Sequence, residues 1–427
     1  MQMKNKVKSE KGVMTMYVTI AVVTFTIILT ALFSLAVATR KNQIKTLIKI
    51  KEVYEQDNSK KEEVYLVQKG KVELPSTSDT TPYYPDDTFI KDPDTNLDDG
   101  LVIRDKNKNE YVWIEVPKSL YANTDYNTET TTADQKPASS IDYDKIEYCL
   151  HKYTNYYRNG TSCKDEYYSD TATGLTKTQY TELKQKMLKS VYENGGFWIG
   201  RYETGITTNR TSKNEGITAE PLSKQGTVEN PVYPYTYVTC SQAQTLASQL
   251  STEKNYNSSL MFGVQWDLVL KHIEVKEVKS GVELATEQKL LRGNSTSWGN
   301  YYNSNFIINR GEYAKSGALD TWYKYNTALA NCVTYANGIS AKVAATSSSN
   351  AILLTTGASE ACKKMNIYDF AGNVWEWTLE YTTNDSNPCA YRGGSSTALG
   401  ETFSVHYRAK TTAGSSSDLG FRVTIYK

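Results

Sequence analysis

The sequence has little that would supply metal-dependent or acid–base catalysis. It contains three histidines in 427 residues, and none of its six cysteines belongs to a CxxC pair. A Cys/His zinc site is therefore not expected, because such ligands normally come in closely spaced pairs. The GxSxG, HExxH and P-loop motifs are also absent, so the sequence lacks the usual signatures of serine hydrolases, zinc proteases and nucleotide-binding enzymes.

The chain also lacks an excess of charge of either sign. Its 48 basic and 47 acidic side chains give a net charge of +1. A nucleic-acid partner would favour a basic face, so no such partner is expected. The even number of cysteines permits disulfides in an exported domain, but the sequence leaves their connectivity open.

One long segment has no charge at all. Residues 16–38 (MYVTIAVVTFTIILTALFSLAVA) are long enough to span a hydrocarbon core as one helix. A cleaved signal peptide is the alternative, but it would need a shorter apolar stretch and a better cleavage site. We expect a single-pass cell-membrane protein with residues 1–15 as a basic cytoplasmic tail, 39–72 as a helical stalk and the large domain extracytoplasmic.

The apolar periodicity continues beyond this segment, through Ile44, Leu47, Ile48 and Val53. A hydrophobic helix that runs into an amphipathic one resembles the N-terminal stem of type IV pilins. The SEKG sequence before Val13 is similar to a prepilin cleavage site. The fifth position after that site is Tyr17, however, where pilins carry Glu.

The rest of the chain divides by composition. Residues 73–100 are rich in Pro, Asp, Ser and Thr, which predicts a linker. Residues 101–189 form an extension, with a strand expected in 111–121. Helices are expected over 180–193, capped by Thr178 or Thr181, over 240–251, capped by Ser241, and over 264–273. The stretch 293–356 shows weak periodicity, and the whole pattern indicates a loop-rich α+β fold.

Three ordered blocks stand near the C-terminus: NIYDFAGNVWEWTLE at 366–380, AYRGGSS at 390–396 and DLGFRV at 418–423. Together they resemble the formylglycine-generating enzyme (sulfatase-modifying factor) family, in which GNxWEW, RGGS and GFR occur in this order. Weaker matches extend the resemblance over residues 190–427. The resemblance implies a variant of the C-type lectin fold, preceded here by the transmembrane helix and stalk.

The family resemblance implies a calcium site around the GNxWEW block. The matching positions are Asp369 and Glu376 by side chain, and Gly372 and Val374 by backbone carbonyl. Calcium prefers such hard oxygen ligands. The alternative is structural: Asp369 would cap a turn, and Glu376 would pair with an arginine such as Arg392 or Arg422.

The resemblance also locates the family's two copper-binding cysteines shortly after RGGS. Aligned without gaps, those positions are Ala398 and Phe403, and Cys389 lies before the block. Thiolates are the ligands that Cu(I) prefers, so neither copper binding nor this catalysis is expected.

In C-type-lectin-like relatives, the segment between RGGS and GFR forms the ligand-binding face. Here it is 395–420, and its candidate ligand-binding residues are Thr397, Glu401, Thr402, Phe403, His406, Tyr407, Arg408 and Lys410. Aromatic and polar side chains on a rigid scaffold suit recognition of a protein or glycan. A divergent oxidase and a pilin-like structural subunit are the competing hypotheses.

Overall fold

The structure, a computed structural model, describes residues 72–127, 136–252 and 254–427. The chain separates into two units, Met1–Val72 and Glu73–Lys427, and the second unit contains nearly all of the described residues. The basic tail, the 16–38 segment and the stalk, apart from Val72, lie outside them. Within the described part of the chain, no helix has the length and apolar character needed to cross a membrane.

The main layer is an antiparallel sheet in the order β1-β2-β3-β4-β20-β7. Its strands are β1 (Ile90–Lys91), β2 (Val102–Arg104), β3 (Glu110–Glu115), β4 (Gly196–Gly200), β7 (Asn257–Leu260) and β20 (Val423–Tyr426). The short strands β5 (Gly205–Ile206) and β6 (Tyr233–Pro234) pair separately. Because β3 of the extension pairs with β4, the extension and the C-terminal region share one sheet.

The helices pack around this sheet. They are α1 (Thr124–Asn127), α2 (Tyr143–Tyr153), α3 (Asn155–Arg158), α4 (Asp170–Thr173), α5 (Lys177–Asn194), α6 (Cys240–Gln249), α7 (Gly263–Lys279) and α8 (Leu284–Gln288). The predicted caps of α5 and α6 are wrong. The observed N-caps are Thr176, two residues before Thr178, and Thr239, two residues before Ser241. Each forms a capping box, Thr176 with Gln179 and Thr239 with Gln242, which satisfies two backbone N–H groups reciprocally.

A second sheet carries the C-terminal motifs in the order β18-β17-β16-β19. Its strands are β16 (Trp375–Tyr381), β17 (Cys389–Arg392), β18 (Arg408–Thr411) and β19 (Leu419–Phe421). The pair β16 and β19 is parallel, and the other pairs are antiparallel. This sheet brings the WEW, RGG and GFR blocks side by side.

The stretch predicted to be irregular contains short strands instead. They are β8 (Phe306–Ile308), β9 (Glu312–Lys315), β10 (Trp322–Lys324), β11 (Val333–Ala336), β12 (Ile339–Lys342) and β13 (Ile352–Leu354), followed by β14 (Lys363–Lys364) and β15 (Ile367–Tyr368). A small hydrophobic cluster around Ile308, Tyr313 and Leu354 holds two three-stranded sheets together. Three- and four-residue strands are too short to show a period in the sequence.

Residues 73–100 pack on the main sheet and do not form the predicted linker. Phe89 is buried against Tyr111 and Tyr256. The hydroxyl of Thr80 accepts a hydrogen bond from Trp113 Nε1 (2.8 Å) and donates one to the Gly195 carbonyl (2.9 Å). A few buried contacts thus order a segment whose average composition is polar.

We expect Thr80→Val to lower the free energy of unfolding by about 1–3 kcal/mol, because it leaves the buried Trp113 N–H without an acceptor. The exposed neighbour substitution Thr81→Val is the control and should change little. Chemical denaturation of both variants checks this. Equal stabilities for the two variants would show that the hydrogen bond between Thr80 and Trp113 does not help to hold this segment on the sheet.

Candidate functional site

A groove of about 630 Å³ opens on the face of the second sheet. Four aromatic rings form a continuous cluster along it: Trp375 meets Tyr391 at 4.9 Å and Phe403 at 5.7 Å between centroids, and Phe403 meets Tyr407 at 5.0 Å. The pairs are edge-to-face, an arrangement that stabilises rigid aromatic clusters. Five residues with hydroxyl side chains also line the groove: Thr161, Ser162, Thr382, Ser395 and Thr397.

The extension supplies one wall of this groove. Residues Gly160 to Cys163 line it together with the aromatic cluster. Two backbone hydrogen bonds of 2.8 Å between Lys164 and Tyr381 fasten the wall to β16. The site therefore combines the C-terminal motifs with a segment whose role the sequence left undefined.

Beneath the groove lies a network of buried ion pairs centred on Asp267. Its carboxylate contacts Arg408 at 2.6 Å, Arg158 at 2.8 Å and Arg392 at 3.0 Å. Arg392 and Arg408 also bind Glu380, at 3.3 and 2.7 Å. Although burial opposes ionisation, the three arginines hold the pKa of Asp267 below its usual value.

Of the eight predicted ligand-binding residues, five line the groove: Thr397, Phe403, Tyr407, Arg408 and Lys410. Tyr407 and Lys410 are exposed. Arg408 is nearly buried and engaged by carboxylates, so its main contacts are with the scaffold.

The other three predicted residues point elsewhere. Glu401 accepts hydrogen bonds from Thr296 and Asn303 outside the groove, and Thr402 lies in the adjoining turn. His406 is largely buried and shares a 2.9 Å hydrogen bond between its Nδ1 and Ser404 Oγ. Burial, then Arg392 and Arg408, lower the pKa of His406 to about 3. It is therefore a neutral residue that is held by the scaffold.

The predicted calcium ligands are used differently in the structure. Both oxygens of Glu376 accept hydrogen bonds from Arg422, with a closest distance of 2.7 Å. The guanidinium thus takes the place that a cation would occupy beside Glu376. Gly372 adopts a left-handed conformation against the Asn300 backbone, and Val374 is buried. Calcium does not fit this set without breaking a buried ion pair, and the structural alternative describes Glu376 better.

Asp369 uses one of its two carboxylate oxygens to accept a backbone hydrogen bond. Its Oδ2 accepts a hydrogen bond from the Gly357 N–H at 2.7 Å. Within the described residues, Asp369 Oδ1 and the nearby Glu203 Oε2 are buried and have no hydrogen-bond partner. Burial raises the pKa of Asp369 to about 7, and burial followed by the charge of Asp369 raises the pKa of Glu203.

Copper does not fit the positions that the family resemblance assigns to it. Ala398 and Phe403 both line the groove, but neither offers a thiol. Cys163 is the one cysteine among the described residues lining this groove, and burial raises the pKa of its thiol. A single protonated thiol is a poor copper site compared with two thiolates.

Sequence reasoning missed Trp375, Tyr391 and the 160–163 wall as parts of the site. Trp375 and Trp377 lie two residues apart on β16, so their rings share one face of the strand, and both contact Tyr391. Trp375 is 8% exposed, so only a small part of its ring faces the groove. No sequence pattern identified the 160–163 wall, because its position depends on long-range pairing with β16.

We expect Asp267→Asn to lower the free energy of unfolding by about 3–5 kcal/mol, because it leaves three buried arginines short of a counter-charge. The control Glu166→Gln removes an exposed ion pair with Lys164 and should cost less than about 1 kcal/mol. Chemical denaturation compares the two. If Asp267→Asn were as stable as the control, the network would not hold the sheet together.

The raised pKa of Asp369 predicts a pH-dependent stability. Between its unfolded pKa of about 4 and its folded pKa of about 7, the folded state keeps a proton that the unfolded chain releases. Stability from this group is therefore greatest at low pH and falls as pH rises, by at most about 1.4 kcal/mol per unit. Asp369→Asn should flatten the decline, whereas the exposed control Asp320→Asn should not. Denaturation curves from pH 4.5 to 7.5 measure the slopes, and parallel curves for Asp369→Asn and the wild type would contradict the assignment.

Comparison with known proteins agrees with the motif resemblance. A family profile described as a sulfatase-modifying factor enzyme 1-like domain matches residues 51–426, well upstream of the predicted boundary at 190. No curated protein matches the chain significantly in sequence.

Two solved structures show remote similarity. Treponema denticola variable protein 1 is 16% identical, with 55% of this chain and 85% of that protein covered, at a TM-score of 0.27. CarF is 14% identical, with 54% and 87% covered, at a TM-score of 0.29. With its profile match across most of its length and its ordered C-terminal motifs, this chain belongs to the sulfatase-modifying factor enzyme 1-like family.

Proposed function

We propose that this protein is a membrane-anchored, extracytoplasmic binding protein that uses a non-catalytic sulfatase-modifying-factor-like domain to recognise a protein or glycan. The observation that carries the proposal is the aromatic groove, in which Ala398 and Phe403 occupy the positions of the family's copper-binding cysteines. Rigid aromatic rings beside hydroxyl groups provide contact area and hydrogen bonding at low entropic cost.

The surroundings of the groove support recognition of an extended ligand. A second depression of about 350 Å³ shares Trp375 and Tyr391 with the groove and continues past Ser416 and Asp418. Lys410 in the first and Asp418 in the second give the two parts opposite charge. Such a surface resembles the ligand face of C-type-lectin-like relatives, with the specific contacts carried by loops on a fixed sheet.

The membrane part of the proposal depends on the uncharged segment 16–38, which is long enough to span a bilayer. The basic residues before it favour a cytoplasmic N-terminus and an extracytoplasmic domain.

The proposal includes a calcium ion, but with a different set of ligands. Since Glu376 is paired with Arg422, a bound ion would use Asp369 and the unpartnered oxygen of Glu203. A bound ion would keep Asp369 ionised, so saturating calcium would remove the loss of stability with rising pH described above. An unchanged slope would exclude calcium at Asp369.

To test the binding function, we would screen purified full-length protein against glycan and peptide arrays. For any ligand found, Tyr407→Ser and Lys410→Glu should weaken binding at least about tenfold, since truncating an aromatic contact residue commonly costs 1.4 kcal/mol or more. The matched control is Tyr335→Ser, because Tyr335 is 44% exposed and Tyr407 is 36% exposed. Equal binding by all of the variants would show that the groove does not bind this ligand.

The competing oxidase hypothesis has one observation in its favour, the thiol of Cys163 in the groove. Incubation with copper, oxygen and a cysteine-containing sulfatase peptide should leave the peptide mass unchanged. A mass loss corresponding to formylglycine would overturn the non-catalytic proposal. Its disappearance in Cys163→Ser would then identify the thiol responsible.

A further inference from the structure

Three side chains that can bind a metal ion converge beside the groove wall. Glu147 and His151 both lie on α2, and Asp165 follows the last wall residue, Cys163, by two positions. His151 Nε2 is 3.6 Å from Glu147 Oε1 and 3.8 Å from Asp165 Oδ2. One donor atom from each of the three residues lies within 4.8 Å of the other two.

We propose that Glu147, His151 and Asp165 bind a divalent transition-metal ion such as zinc, with water as the fourth ligand. This site goes beyond the proposed function and does not depend on it. Zinc accepts an imidazole nitrogen together with carboxylate oxygens, whereas calcium and magnesium take oxygen ligands. Three protein ligands leave one position of a tetrahedral zinc ion open to solvent.

The spacing of the donor atoms fits a shared ion better than direct ion pairing. Hydrogen-bonded charged groups normally approach to about 2.7–2.9 Å, and both distances from His151 Nε2 are well beyond that range. Two ligands at about 2.1 Å from a tetrahedral ion lie about 3.4 Å apart, which is close to the observed spacing. Within the described residues, this buried Nε2 has no hydrogen-bond partner. An ion between the three groups would supply one.

The helix explains why two of the ligands meet. Glu147 and His151 are four residues apart on α2, a spacing that places their side chains on the same face. The two histidines of the zinc-binding HExxH motif have the same spacing. Asp165 lies outside the helix, so linear spacing does not reveal the third ligand.

Neighbouring groups hold both carboxylates in place. Lys184 Nζ is 2.8 Å from Glu147 Oε2, which leaves Oε1 on the His151 side. The side chain of Asp165 is buried, and its two oxygens accept hydrogen bonds from the first two backbone N–H groups of α7, at 2.5 and 2.9 Å. Outer contacts of this kind orient metal ligands and tune their affinity.

Two basic side chains near the ligands limit the affinity that we expect. Lys184 pairs with Glu147, and Arg158 Nη1 is 3.6 Å from Asp165 Oδ2. The closer partner of Arg158 is Asp267, at 2.8 Å, so most of its charge is already matched within the buried network. Repulsion from these two groups should make the site weaker than one without basic neighbours.

A bound ion would connect α2 to the segment that carries the groove wall. Asp165 directly follows Lys164, whose backbone hydrogen bonds with Tyr381 fasten the wall to β16. The ion would therefore add a second restraint at the same end of the wall. Because the three ligands come together only in the folded chain, zinc should raise the melting temperature.

A zinc titration of the purified full-length protein tests the site. The protein is treated with a chelator, dialysed into buffer with calcium, which occupies sites made only of oxygen ligands, and titrated with zinc chloride in a calorimeter. We expect one zinc ion per chain. His151→Asn and Glu147→Gln should each bind at least about tenfold more weakly, since even losing an outer contact commonly weakens metal affinity tenfold. The matched control Glu166→Gln, an exposed carboxylate next to Asp165, should bind as the wild type does.

Two further measurements distinguish this site from zinc held loosely at the surface. Cobalt in place of zinc should give the strong visible absorption of a four-coordinate ion, and His151→Asn should lose it. Zinc should raise the melting temperature of the wild type and of Glu166→Gln by several degrees, but not that of His151→Asn.

Circular dichroism identifies the folded variants, and either ligand variant is sufficient for the comparison. If the folded wild type bound no zinc, or bound it no more tightly than a folded ligand variant, the proposal would be wrong. The three residues would then form an ion pair only. Displacement of the zinc by calcium would contradict the proposal as well, because calcium does not prefer a nitrogen ligand.

Discussion

The structure depends on the buried charge network around Asp267. This one carboxylate, on α7, is contacted by arginines from α3, β17 and β18. Glu380 of β16 binds two of the same arginines. Elements that are far apart in sequence thus share one set of ion pairs. A buried arginine without a counter-charge destabilises the folded state, so each of these elements must stay in contact with the others. The same contacts fix the strands that line the groove.

The arginines of the RGG and GFR blocks also form buried ion pairs. The arginine of the RGG block, Arg392, is a member of the network, and the arginine of the GFR block, Arg422, neutralises Glu376 of the WEW block. The sequence allowed a paired Glu376 as one alternative to calcium. Choosing between the two required knowledge that β16 and β19 are neighbours, which a linear pattern does not contain.

Local signals predicted the elements better than they predicted long-range packing. The helices at α5, α6 and α7 follow from their periodicity, and the three motif blocks correctly indicated the family. The polar composition of 73–100 predicted a linker. Composition is an average, however, and it conceals the few side chains that become buried, such as Thr80 and Phe89. Similarly, Arg408 and His406 look like surface residues in the sequence, and only tertiary contacts bury them. Of the predicted ligand-binding residues, Tyr407 and Lys410 are the two that both line the groove and remain exposed.

The groove wall at 160–163 is flanked on both sides by contacts that fix its position. Arg158 enters the charge network on one side, and Lys164 forms its two backbone hydrogen bonds with Tyr381 on the other. Since both ends of this short segment are fixed by contacts outside it, changes at Thr161 and Ser162 would alter the lining of the groove while these two anchors stay in place.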